Sequence, residues 1–129
     1  MSSSHETKPY RLTFNPKPQY LHVHVESNTD SYELSIRFWN EIAAECKQNK
    51  WKKVLVEEDI PEDISVAEAF ELASELPQIG FFGVKIAFVD HYIEQEEMNK
   101  FSEMVAVNRG LNAKIFTNTN EAEKWLLKS

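Results

Sequence analysis

Residues 57–70, EEDIPEDISVAEAF, follow the apolar run Val54-Leu55-Val56, and how they are read decides the fold. The run before them has β-branched residues and leucine but no polar face, which predicts a buried strand over Lys53 to Val56. After them, Val66, Ala69, Phe70, Ala73 and Leu76 recur at helical spacing, and Pro77 and Gly80 end the pattern. The stretch is therefore a strand-to-helix connection. Its single serine stands three residues before Glu68, the spacing at which hydroxyl and carboxylate each take the other's backbone amide. Ser65 is thus expected to cap the second helix, with Glu62 and Asp63 near the positive end of its dipole. A phosphate on Ser65 would meet Glu62, Asp63 and Glu68 at close range and be repelled, so no phosphorylation is expected there.

The same alternation extends in both directions. Upstream, Tyr10 to Asn15 and Tyr20 to Glu26 read as two strands joined by the turn PKPQ, the second with Leu21, Val23 and Val25 on one face. From Asp30 the period becomes helical, with Leu34, Phe38, Ile42 and Cys46 inward and Asp30 and Glu33 at capping spacing. Downstream, Val84 to Val89 reads as a strand and Glu94 to Arg109 as a helix with Met98, Phe101 and Val105 inward, stopped at Gly110. Lys114 to Thr117 is a last strand, and Asn118 with Glu121 caps a terminal helix carrying Trp125 and Leu126. The predicted architecture is one α/β domain over residues 10–129. Its mixed sheet of about five strands has parallel members joined by right-handed crossovers, and about four helices pack mostly on one face. The polar, unpatterned residues 1–9 are expected to be a disordered tail.

Composition narrows the partners. Twenty-one acidic against fourteen basic residues give a net charge of −7, which opposes nucleic-acid and anionic-membrane binding, and no membrane span is visible. The one basic run, Lys47 to Lys53, suits a helix end. A lone cysteine, Cys46, on an inward helical stripe reads as a small buried hydrophobe in a reducing, cytoplasmic compartment.

Candidate chemistry lies at the strand ends. Glu58, Asp59, Asp90 and His91 each follow a predicted parallel strand, where ligand sites of open α/β sheets form, so they are expected on one rim as a possible ligand, metal or general-base cluster. The same residue types also solvate loops and cap helices. A phosphoreceiver domain is excluded: it needs a lysine directly after a later strand, and Lys114 begins the strand. His22, His24 and Glu26 share one strand face; two imidazoles do not complete a metal site, and a partly exposed polar sheet face is expected, with no cofactor. With glycine only at 80, 83 and 110, no phosphate-binding loop exists. In PQIGFFGV (77–84), adjacent Phe81 and Phe82 cannot share one side of a strand; either one faces outward as an interaction surface or both tuck under a bent loop. An exposed phenylalanine would be hidden most simply in a symmetric homodimer.

The element order, with the closing AKIFTNTNEAEKWL (113–126), resembles the STAS-like fold of anti-sigma-factor antagonists, most closely the SpoIIAA-like branch. There a final strand runs into a helix with an acidic, alanine-containing start and a Trp-Leu end. The resemblance covers roughly residues 10 to 127. In typical antagonists the loop after the central strand carries an Asp-Ser-(Ser/Thr)-Gly motif phosphorylated by a partner kinase. This chain has Asp63-Ile64-Ser65-Val66 there, with no glycine after the serine and an isoleucine between aspartate and serine. The resemblance therefore implies a non-catalytic binding or regulatory module without the phospho-switch, working through a protein partner or self-association. Some STAS-like relatives carry hydrophobic molecules, which adds an apolar-ligand or lipid carrier as an alternative. A small-ligand or metal-dependent enzyme using the acidic strand-end residues is another.

Overall fold

The computed structural model describes residues 9–128, so the tail expected over residues 1–9 lies outside the described residues except for Pro9. Strands β1 (Arg11–Pro16) and β2 (Leu21–Glu26) pair antiparallel as a hairpin. There follow α1 (Tyr32–Gln48), β3 (Lys53–Asp59), α2 (Val66–Glu75), β4 (Lys85–Asp90), α3 (Glu96–Asn108), β5 (Asn112–Phe116) and α4 (Thr119–Leu127), with short 3-10 turns at Leu76–Gln78 and Ile93–Gln95. The sheet order is β1-β2-β3-β4-β5, and the last three pairings are parallel. When parallel strands are laid down side by side in one direction, right-handed crossovers put every connecting helix on the same face. The core has that layout. Leu21, Val23, Val25, Val54, Val56 and Ile86 pack with Phe38, Trp39 and Ile42 of α1, Ala73 of α2 and Val105 and Ala106 of α3. On the reverse face a smaller cluster joins Tyr20, Leu55, Ala87 and Val89 to Ala122 and Leu126 of α4. No helix among the described residues is long and apolar enough to cross a membrane.

The single α/β domain with a five-stranded mixed sheet and four helices agrees with the expected fold class, three helices on one face and α4 on the other. Boundaries differ where local patterns compete. β3 does not stop at Val56 but continues through Glu57, Glu58 and Asp59, because β2 and β4 both stay in register with it and supply backbone partners on either side. Helix α1 is capped by Ser31, whose hydroxyl accepts from the Leu34 amide at 3.0 Å, and not by Asp30. Asp30 turns inward instead, its Oδ1 accepting from the Ser31 amide and from the Ser35 hydroxyl at 2.8 Å each.

The paired phenylalanines separate at a tight turn. The Val84 amide donates to the Phe81 carbonyl at 3.0 Å, and Gly83 holds φ +79°, the left-handed angle that a type II turn demands at its third position. Phe81 enters the core at 1% exposure, edge-on to Trp39 with ring centroids 5.7 Å apart. Phe82 sits at the tip, 96% exposed. Of the two phenylalanines named for an interaction surface, only Phe82 faces outward; Phe81 is core. Cys46 is buried in the main core, which raises its thiol to about 11.

Candidate functional site at the carboxyl edge of the sheet

Side chains alternate along a strand, so the extension of β3 sends Glu58 to the helical face and Glu57 and Asp59 to the reverse face. At the end of β4, Asp90 likewise points under the helices, while His91 Nε2 hydrogen-bonds Glu57 on the reverse face. The rim expected of Glu58, Asp59, Asp90 and His91 is thus split between two sides of the sheet. What joins Glu58 and Asp90 on the helical side is a pair of aspartates from loops: Asp30 before α1 and Asp63 before α2.

Three of these carboxyls, Asp30, Glu58 and Asp63, line a cavity of about 100 Å³ whose walls include Trp39, Leu72, Ile86 and Phe88, and Asp90 lies beside it. Glu58 is 7% exposed, and among the described residues nothing donates a hydrogen bond to its carboxyl. Asp90 is 3% exposed and accepts from the Tyr92 amide at 3.0 Å and from Asn99 Nδ2 at 2.9 Å. Among the described residues no lysine or arginine forms an ion pair with any of the four. Burial pushes Glu58 well above the usual carboxylate range, and the charges of Asp30, Asp90 and Asp63 push it further. Burial raises Asp30 to about 6 against the pull of its two serine hydrogen bonds. Asp63 and Asp90 are raised as well, burial again the main cause. Such a set can hold protons near neutral pH or accept a cationic group from outside.

The loop from β3 to α2 lines this cavity with Asp63 and Ile64. Ser65 caps α2 as the spacing predicts: its hydroxyl accepts from the Glu68 amide at 3.1 Å, and its amide donates to Glu68 Oε1 at 3.1 Å. Those bonds hold Glu68 below its usual range. Next to the cap, Val66 is exposed, and so is Ile93 in the turn after β4. The two loops are neighbours, since Asp63 feels both Asp90 and Glu94.

On the reverse face Glu57 bridges two imidazoles, Oε1 to His22 Nε2 at 2.9 Å and Oε2 to His91 Nε2 at 2.7 Å. Burial alone would raise this carboxyl, but the two histidines outweigh it and it lies below the usual range. Asp59 accepts from the Tyr92 hydroxyl at 2.7 Å. Asp30, Asp63 and Glu57 are the candidate-site residues that the strand-end pattern does not reveal. Continuing the two-residue period of β3 to Asp59 separates Glu57 from Glu58; nothing in the pattern around Asp30 and Asp63 marks them as neighbours.

No family model matches the chain, and no curated protein matches it. Among solved structures it is similar to the NMR structure of the protein TM1081, with a TM-score of 0.52 over 100% of this chain and 95% of that one, at 14% identity. At that identity the likeness speaks for the fold alone.

Proposed function

We propose that the chain is a non-catalytic STAS-like module that binds a protein partner through the carboxyl edge of its sheet, without the phosphorylatable Asp-Ser-(Ser/Thr)-Gly loop. The observation that carries this reading is the set of four carboxyls at that edge, which among the described residues have no lysine or arginine in an ion pair, one of them deeply buried and accepting no hydrogen bond from a described residue. Alone, a buried carboxyl avoids the cost of a charge in low dielectric by keeping its proton, and a lysine or arginine from a partner would let it ionise as a paired group. The exposed Val66 and Ile93 add apolar contact at the same edge. The cavity itself, at about 100 Å³, is well under the roughly 300 to 1,000 Å³ of ordinary ligand pockets, which favours surface recognition over carriage of a lipid or enclosure of a substrate.

Photo-crosslinking tests the reading. A photoreactive residue replacing Val66 or Ile93 in the full chain, expressed in its native cells, is expected to capture one protein that the same residue at the exposed Met104 of α3 does not. Equal capture from all three positions, or capture from position 104 alone, contradicts it.

A further inference from the structure

The reverse face carries a second cluster, separate from the carboxyl edge and independent of the partner-binding reading. Helix α4 packs across β3, β4 and β5, while β2 presents His22, His24 and Glu26 on that face, partly exposed. His24 and Glu26 stand two apart and therefore side by side, and the parallel register sets Asp59 of β3 directly opposite Glu26. One imidazole and two carboxylates thereby offer donor atoms that all lie within 4.8 Å of one another, His24 Nδ1 and Glu26 Oε2 being 3.7 Å apart.

Two carboxylates directly opposite on adjacent strands repel. The nearest countercharge is Arg11, whose largely solvent-exposed guanidinium reaches Glu26 Oε1 at 3.3 Å and leaves Glu26 Oε2 to His24. At Asp59, the Tyr92 hydroxyl donates to Oδ1 at 2.7 Å, and no described residue donates to Oδ2. A hydrogen-bonded carboxylate with one oxygen held and one presented is the usual outer support of a metal ligand.

We propose that His24, Glu26 and Asp59 form a binding site for a borderline divalent cation, Zn²⁺ before others, with a further position open to water. The donor set decides the metal: an imidazole nitrogen disfavours Mg²⁺ and Ca²⁺, which take oxygen ligands, and among borderline ions zinc accepts one nitrogen and two oxygens with a water. Zn–N and Zn–O bonds near 2.0 to 2.1 Å put tetrahedral ligands roughly 3.3 Å apart, so side-chain rotation of about 1 Å closes the set. His22 and His91 do not join, because both are held by Glu57.

Calorimetry of the chelator-treated full chain with zinc chloride is expected to show one ion per chain. His24→Ala and Asp59→Asn should each weaken binding at least tenfold, while His22→Ala and His5→Ala leave it unchanged. Because sheet variants can unfold, the wild type is also read directly: zinc should move the ring-nitrogen resonances of His24 and not those of His22 or His91. Absence of binding at millimolar zinc overturns the site. So does binding that survives both variants, binding lost in His5→Ala, which places the ion on the N-terminal segment, or shifts confined to His22 and His91, which place it on Glu57.

Discussion

Glu58 and Asp30 carry the clearest chemistry at the level of single residues, because each binds its proton more tightly in the folded chain than in the unfolded one. For Asp30 the ordinary value of 3.8 rises to about 6. Between those values the folded state holds more protons than the unfolded, so stability falls as pH rises through about 4 to 6. Glu58 extends the fall to higher pH. Glu57, held low, gives the opposite slope only below its ordinary value of 4.5. Melting curves are therefore expected to show higher stability at pH 5 than at pH 7.5. Glu58→Gln, which removes the ionisable proton at nearly constant volume, should flatten that slope and raise stability at pH 7.5 relative to the wild type. A melting temperature that rises from pH 5 to 7.5 in the wild type contradicts the assignment. The split of Glu58 and Asp90 from Asp59 and His91 was within reach of the sequence, since it follows from alternation once β3 is carried to Asp59; an all-acidic end after an apolar run hides that extension, because its carboxylates resemble a loop. The inward turn of Asp30 leaves no mark, because Asp30 and Ser31 are both good caps and only packing chooses between them.

Among the elements, α2 begins with the arrangement its spacing predicts. Removing the Ser65 hydroxyl in Ser65→Ala should cost about 1 kcal/mol, and Ser65→Asp, which still accepts from the Glu68 amide, should cost much less. Equal losses in urea unfolding would show that the hydroxyl contributes something other than the cap. Helices and strands are legible here because each has an uninterrupted period: Leu34, Phe38, Ile42 and Cys46 on α1, and Leu21, Val23 and Val25 on β2. Asn118 also caps α4 as its spacing indicates, accepting from the Glu121 amide at 2.9 Å. Strand ends are less legible, since partners across the sheet decide how far a strand runs, as with β3. The order of strands is invisible to periodicity, being a property of which crossovers close.

For the whole molecule, the two faces are used differently: three helices bury one, and α4 covers part of the other. We further propose a symmetric homodimer through Phe82, which stands out at the tip of its turn. Because that ring is 96% exposed, Phe82→Ala should leave the melting temperature of the dilute monomer unchanged while weakening a micromolar dimer by about 1 to 3 kcal/mol. Sedimentation of the wild type as a monomer at high concentration would end that idea. The carboxyl-carbon resonances of Asp30 and Glu58, followed with pH in the isolated full chain, report whether the carboxyl edge holds buried acids that keep their protons until a partner's cation pairs with them. Asp30 is expected to titrate with a midpoint near 6, and Glu58 to stay largely protonated when ordinary glutamates have ionised. Midpoints near 4 for both would mean that the edge already satisfies its own charge, and would contradict that expectation.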